Sequence, residues 1–281
     1  MRANDAGYDE VARAAAAIVI RRYSTSFGWA TRLLTEPCRT HVRCIYAMVR
    51  VADEVVDDLT LPWTPEQRAE LLDAMEARIH QAIQTGGSTD LVVHAFALTA
   101  REHGVGADLI GPFFDSMRAD LSVQVHDPDS LDRYVYGSAE VVGLMCLRVF
   151  VGGDQARYEE LAPAARRLGA AFQKVNFLRD LRADAQGLGR TYFPGVDLTH
   201  FTDAQRDQLL DDIDADLDAA AAAIPHLPSS CRRAVLAAHG LFAELSRRLR
   251  QTPAEEIATT RIRVPDAVKA RIVARSVVAA R

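Results

Sequence analysis

Four aspartates stand in two pairs. Asp53 and Asp57 lie four apart in "VRVADEVVDD" (49–58), and Asp180 and Asp184 lie four apart in "FQKVNFLRDLRAD" (172–184). On a helix this spacing puts both carboxylates of a pair on one face, with Cβ atoms about 6 Å apart. Like charges so placed repel unless a cation sits between them, so the acids are expected to repel in the metal-free chain. A solvated helix end running into "DDLTLPW" is the plainer reading of the first pair taken alone. The second pair argues for more. Gln173 and Asn176 continue its stripe, and Phe172, Val175, Phe177, Leu178 and Leu181 surround it with apolar surface. Buried carboxylates need compensation. Hard oxygen ligands around an apolar hole suit Mg²⁺, with Mn²⁺ as a substitute, usually shared with substrate phosphates. Two such helices face to face would serve diphosphate ionisation: metal neutralises the departing group and apolar walls keep water from a carbocation.

Other chemistries lack their residues. A di-iron bundle wants paired Glu-x-x-His; Glu76 and His80 are four apart and have no second copy. The eight histidines are scattered, and no His/Cys cluster has zinc-ligand spacing. No phosphate-loop or dinucleotide fingerprint and no G-x-S-x-G element is present.

The elements that position these groups read as helix after helix, an all-α chain of 281 residues expected to form one domain over 1–281. Breaks fall at 35–38, 58–67, 84–90, 103–106, 126–130, 151–154, 187–203, 225–230 and 251–256, where Gly, Pro and short polar residues gather. Thr64 before Pro65, with Gln67 three on, predicts a helix start, as do Asp129 and Ser130. The "AAAAIVI" run is too short to span a membrane, and no other stretch is expected to reach the ~18 apolar residues needed. The segment 264–281 reads as a helix that packs on the body or rests on a membrane surface. Net charge of −5 argues against nucleic acid as partner. Cys38, Cys44, Cys146 and Cys231 read as reduced, mostly buried thiols of a cytoplasmic protein.

At this point the chain resembles the squalene/phytoene synthases, the head-to-head prenyl transferases. "YSTSF" (23–27) resembles their Ser-x-Ser-Phe element, and "CIYAMVRVADEVVDD" (44–58) their first Asp-rich helix. "YVYGSAEVVGLM" (134–145) resembles a cavity-lining helix, and "QKVNFLRDLRADAQGLGRTYFP" (173–194) the second Asp-rich helix with its Gly-Arg-x-Tyr-Phe-Pro loop. The resemblance implies the isoprenoid synthase fold, a single helical bundle around a deep central cavity. There, two allylic diphosphates condense with Mg²⁺ through a cyclopropyl diphosphate. It implies that Asp53 and Asp57 hold metal on one wall, and Asp180 and Asp184, helped by Asn176, on the other. Gln173 would line the site, and Ser24 and Ser26 would bind a diphosphate. Arg39, Arg179, Arg190 and Arg261 match cationic positions near the phosphates, and Tyr134 and Tyr192 match tyrosines near the reacting groups. Glu54, Ala183 and Glu140 depart from the usual pattern, without removing a core ligand.

Phe27 and Thr31 lie one helical turn apart below the serines. If both face the cavity, a small Thr31 leaves room for a twenty-carbon donor, which favours phytoene formation from geranylgeranyl diphosphate without NADPH. Squalene, dehydrosqualene or presqualene diphosphate formation from farnesyl diphosphate is the alternative. A class I terpene cyclase or a non-catalytic helical scaffold ranks below both. A greasy product suggests peripheral contact with the inner face of the membrane; the oligomeric state stays open between monomer and dimer.

Overall fold

The computed structural model describes residues 7–24, 26–183, 187 and 190–279, the side chains of Ser26 and Leu198 excepted. Among them there is no strand. A lone parallel bridge pairs Val125 with Thr191. The helices are α1 (Tyr8–Tyr23), α2 (Ser26–Thr31), α3 (Cys38–Asp57), α4 (Pro65–Thr85), α5 (Leu91–His103), α6 (Ala107–Ala119) and α7 (Pro128–Val135). After a π-helical turn (Tyr136–Glu140) come α8 (Val141–Val151), α9 (Gln155–Ala183), α10 (Asp203–Ala223), α11 (Ser229–Gln251), α12 (Ala254–Ile257) and α13 (Asp266–Ala279).

The boundaries follow local chemistry. Thr64 and Gln67 form a reciprocal capping box at the start of α4, as the sequence predicts. At α7 the cap sits two residues earlier than expected. Asp127 accepts from the Ser130 amide while Ser130 returns the bond, with Pro128 at the first helical position. Gly86 closes α4 at φ 94°, a left-handed conformation that a Cβ disfavours.

Two large apolar cores dominate among the described residues, beside two small alanine-rich clusters. One is built on α3, α5, α6 and α8, around Ile45, Met48, Phe96, Phe113 and Met145. The other is built on α9, α10 and α11, around Val175, Leu178, Leu210, Ile213 and Leu249. Helix α9 also carries Lys174, whose ammonium bonds Asp212 (2.5 Å) and the fully buried Asp216 (2.9 Å) of α10. Close approach of α9 to the π-helical turn depends on Gly169: a Cβ there would stand 2.6 Å from the Ala139 carbonyl oxygen. Gly137 is tighter still, since its Cβ would meet the Pro112 carbonyl oxygen at 2.1 Å.

The sequence-based expectation about membrane spans needs one correction. The continuous helical run Pro128–Val151 is long and apolar enough to cross a membrane by length and composition. It is a core element here, wedged against α6 and α9. Its apolarity serves packing on several sides. Helix α13 packs on α11 and α2, with Ile272 seated against Gly240. The four cysteines are free, three of them buried.

Candidate active site

Between the two cores lies a cavity of about 300 Å³. Its walls come from α2 (Phe27, Thr31), α3 (Ile45, Tyr46, Val49), the π-helical turn and α8 (Ser138, Val142), and α9 (Leu168, Phe172, Gln173, Asn176). The lining is almost wholly apolar. Phe27 meets Phe172 and Phe242 at 5.8 and 5.6 Å between ring centres, and Phe172 stacks on Phe242 at 3.9 Å. The Thr31 hydroxyl bonds back to the Gly28 carbonyl (3.2 Å) and so is satisfied within its own helix.

Helical periodicity connects this hole to the acids. On α3 the lining residues Val42, Tyr46 and Val49 lead, one turn further, to Asp53 and then Asp57. On α9 the lining residues Leu168, Phe172 and Asn176 lead to Asp180. Both helices therefore carry apolar lining first and carboxylates at their C-terminal ends. Asp184 falls outside the described residues, as does the side chain of Ser26.

Asp53, Asp57 and Asp180 each have a guanidinium partner, which corrects the expectation of bare repulsion. Arg50 pairs with both Asp53 and Glu54, and its guanidinium also lies over the Tyr23 ring. Arg190 donates to Asp57 Oδ1 at 2.8 Å. Asp180 is held by its neighbour Arg179 and by Arg261, whose Nε lies 2.7 Å from Oδ1. Repulsion within the first pair persists all the same. Burial and the Asp57 charge push the Asp53 carboxyl up to about 7. The Asp120 charge pushes the same way, and the Arg50 and Arg190 guanidiniums oppose it.

The structure adds a residue that the sequence reading missed. Asp120, just past the end of α6, is 5% exposed and sits under the site. Tyr134 donates to its Oδ2 (2.7 Å) and Tyr192 to its Oδ1 (3.3 Å), with Arg190 3.6 Å away. Burial outweighs these partners and pushes its carboxyl up to about 6. Tyr192 in turn stacks on Phe177 at 3.9 Å between ring centres. The bridge at Val125 and Thr191 fixes this arrangement, since the Thr191 amide donates to the Gln124 carbonyl at 2.7 Å. Asp57, Arg190, Asp120, Tyr134 and Tyr192 are thus one hydrogen-bonded unit drawn from α3, α6, α7 and the loop after α9. Nothing in "MRADLS" (117–122) distinguishes Asp120 from a surface acid.

Other expected residues sort differently. Gln173 and Asn176 line the cavity. Ser24 caps α2, its Oγ accepting from the Phe27 amide at 3.1 Å. Arg39 does not join the site. Its guanidinium bonds the Leu34 carbonyl (2.9 and 2.6 Å), and it lies fourteen residues before Asp53, about 21 Å along the helix axis. Glu140 points away from the cavity lining and accepts from Arg166 at 2.6 Å.

Two features bear on a divalent cation. The Asn176 Oδ1 is buried and has no hydrogen-bond partner among the described residues. The surrounding donors are carboxylates and an amide, the hard oxygen set that Mg²⁺ takes. No three of these carboxylates converge to ligand-sharing distance among the described residues. The residues therefore fit such an ion on two walls rather than as one preformed cage.

Comparison with known proteins agrees with this architecture. The chain is 29% identical over 199 residues to the 4,4'-diapophytoene synthase of Staphylococcus haemolyticus (strain JCSC1435), covering 69% of this chain and 67% of that protein. It is 32% identical over 186 residues to the 15-cis-phytoene synthase of Pantoea ananas, covering 63% of this chain and 58% of the relative. A crystal structure of a dehydrosqualene synthase in complex with ligand superposes with a TM-score of 0.82 at 21% identity, over 96% of this chain and 97% of that one. That likeness establishes the isoprenoid synthase fold. Residues 20–267 match the model of one family. With the cavity, the two acid-bearing helix ends and this match spanning them all, the chain belongs to the squalene/phytoene synthase family.

Proposed function

We propose that the protein catalyses the Mg²⁺-dependent head-to-head (1'–1) condensation of two geranylgeranyl diphosphates to phytoene, through a cyclopropyl diphosphate, in carotenoid biosynthesis. The observation that carries this reading is the continuity of the apolar cavity wall with the acids on the same faces of α3 and α9. Such a hole takes a long hydrocarbon with its charged head at one end. Thr31 in the cavity wall favours the twenty-carbon donor, because an aromatic there would shorten the space available to the tail. The resemblance to the Pantoea phytoene synthase supports the same choice; that to the diapophytoene synthase supports farnesyl diphosphate as the alternative donor.

Asp53 and Asp57 on one wall, and Asp180, Asp184 and Asn176 on the other, would hold Mg²⁺. When bound, the metal supplies positive charge that neutralises the departing pyrophosphate. The remaining work falls to the chain itself. Arg179, Arg190 and Arg261 offer guanidinium forks to phosphate oxygens, and Arg50 adds a fourth at the α3 end. Phe27 and Phe172 in the cavity wall, backed by Phe242, exclude water and offer aromatic surface to developing positive charge. Asp120 holds Tyr134 and Tyr192 in place through their hydroxyls. NADPH is not needed for this product. We further propose peripheral contact with the inner face of the cytoplasmic membrane, through α13, whose Val278 is exposed. Flotation with liposomes, intact chain against one truncated before Pro265, tests that contact.

The decisive assay offers purified protein Mg²⁺ with geranylgeranyl or farnesyl diphosphate, each with and without NADPH. Extracted products, including a phosphatase-treated sample, are read by mass. A forty-carbon hydrocarbon from the longer donor, independent of NADPH, is expected. A thirty-carbon product would move the assignment to the squalene or dehydrosqualene branch. Cyclic products of a single donor would move it to a terpene cyclase.

A further inference from the structure

Away from the acids, α3 and α5 bring together three groups whose sequence positions give no zinc-ligand spacing. His41 Nε2 lies 3.5 Å from the Glu102 carboxylate, and His103 Nε2 lies 3.9 Å from the same oxygen. All three donor atoms fall within 4.8 Å of one another. The two imidazoles meet edge to face, 4.4 Å between ring centres. The His103 side chain is nine-tenths buried, yet its Nε2 has no hydrogen-bond partner among the described residues. A buried ring nitrogen in that position calls for a partner. We infer that His41, Glu102 and His103 form a zinc site that staples α5 to α3, with a fourth position open to water.

The donor set is the two-histidine, one-carboxylate combination that zinc accepts. Zinc–ligand bonds of about 2.0–2.2 Å place tetrahedral neighbours about 3.4 Å apart, so the two His–Glu separations of 3.5 and 3.9 Å need close by at most about half an ångström, and the two ring nitrogens start within 4.8 Å of each other. The far nitrogen of His41 is already engaged: its Nδ1 sits 3.0 Å from Thr99 Oγ1, which turns Nε2 toward the cluster. Outer contacts of this kind orient metal-binding imidazoles. Glu102 is half exposed and provides the entry path. In the outer field Arg13 and Glu36 carry opposite charges. His41 precedes Asp53 by twelve residues, about 18 Å of helix, so the site is separate from the acid-lined end of the cavity and independent of the proposed reaction.

The probe is Zn²⁺ alone, added to chelator-treated full-length protein, followed by desalting, metal analysis and a thermal melt. One zinc per chain and a rise in melting temperature of about 5 °C are expected. Cobalt in its place should give the visible absorption of a four-coordinate site. His103→Gln should lose the retained zinc, the shift and the cobalt spectrum. Glu102→Gln changes a half-exposed side chain, so it keeps the test open should the histidine variant not fold; it should lose most of the shift. No retained zinc in the folded wild-type protein would overturn the inference. Equal retention and an equal shift in Glu102→Gln would overturn it too.

Discussion

Replacing Asp120 by asparagine should stabilise the ligand-free protein at neutral pH while damaging its activity. Burial raises this carboxyl from its ordinary 3.8 to about 6 despite Arg190 and two tyrosine hydroxyls. Raising it that far corresponds to about 3 kcal/mol lost once the group must ionise. The sign follows from the elevated folded-state value. Below about pH 4 the group is protonated in folded and unfolded chains alike, and its contribution is fully present. That contribution is lost as pH rises through about 6. Asparagine removes the buried charge at every pH. It also makes poorer partners for Tyr134 and Tyr192, a loss of about 1 kcal/mol. The net gain is then about 2 kcal/mol near pH 7.5, or about 4 °C in melting temperature for a chain of this size. Thermal melts of wild type and Asp120→Asn from pH 4.5 to 8 would show the gap nearly closed at the acid end and widening up to about pH 6. The Asp120 charge also helps to raise Asp53, so removing it eases ionisation of Asp53 and adds to the gap in the same direction toward neutral pH. A variant less stable than wild type at pH 7.5 would refute the reasoning, since the Arg190–Asp120 attraction would then exceed the burial penalty. Condensation should fall about 10- to 100-fold, because Arg190 and both tyrosines lose their positioning partner.

Asp57→Asn and Asp180→Asn should each lower condensation by at least about 100-fold; full condensation in either would refute its role in holding metal, and full biological function in both despite lost condensation would favour the scaffold reading. Mg²⁺ with inorganic pyrophosphate should raise the melting temperature of wild type by several degrees and do so less in Asp57→Asn; no shift at millimolar Mg²⁺ would argue against metal held by these acids. Thr31→Phe should narrow the cavity and reduce kcat/KM for the twenty-carbon donor at least about 10-fold relative to the fifteen-carbon donor, read from competition between the two. Gly169→Ala should destabilise by about 2 kcal/mol or more, because its methyl group would press on the backbone of the π-helical turn; an unchanged urea midpoint would show that α9 can shift without penalty.

Much of this molecule follows from local chemistry. Helix starts at Thr64 and ends at Gly86, and the polar stripe Gln173, Asn176 and Asp180, depend on residues a turn apart, so short spacings in the chain report them. The same holds for the motifs shared with the family. Relations between helices are of another kind. Periodicity tells which side chains share one face; it does not tell which faces meet. Asp120 becomes the foundation of the site only because α6 ends beneath Arg190 and Tyr192, seventy residues on. Arg39, expected near the phosphates from the resemblance, instead bonds the Leu34 carbonyl, a competition that no motif encodes. The charges at the mouth of the cavity look unbalanced in the sequence and are paired in the structure, because Arg50, Arg190 and Arg261 arrive from other turns and other loops. His41 meets Glu102 and His103 across the α3–α5 contact for the same reason. The sequence by itself determined the helices, the apolar stripes and the acids; packing alone decided which charges oppose, because buried electrostatics depend on distances between segments that the chain order leaves free.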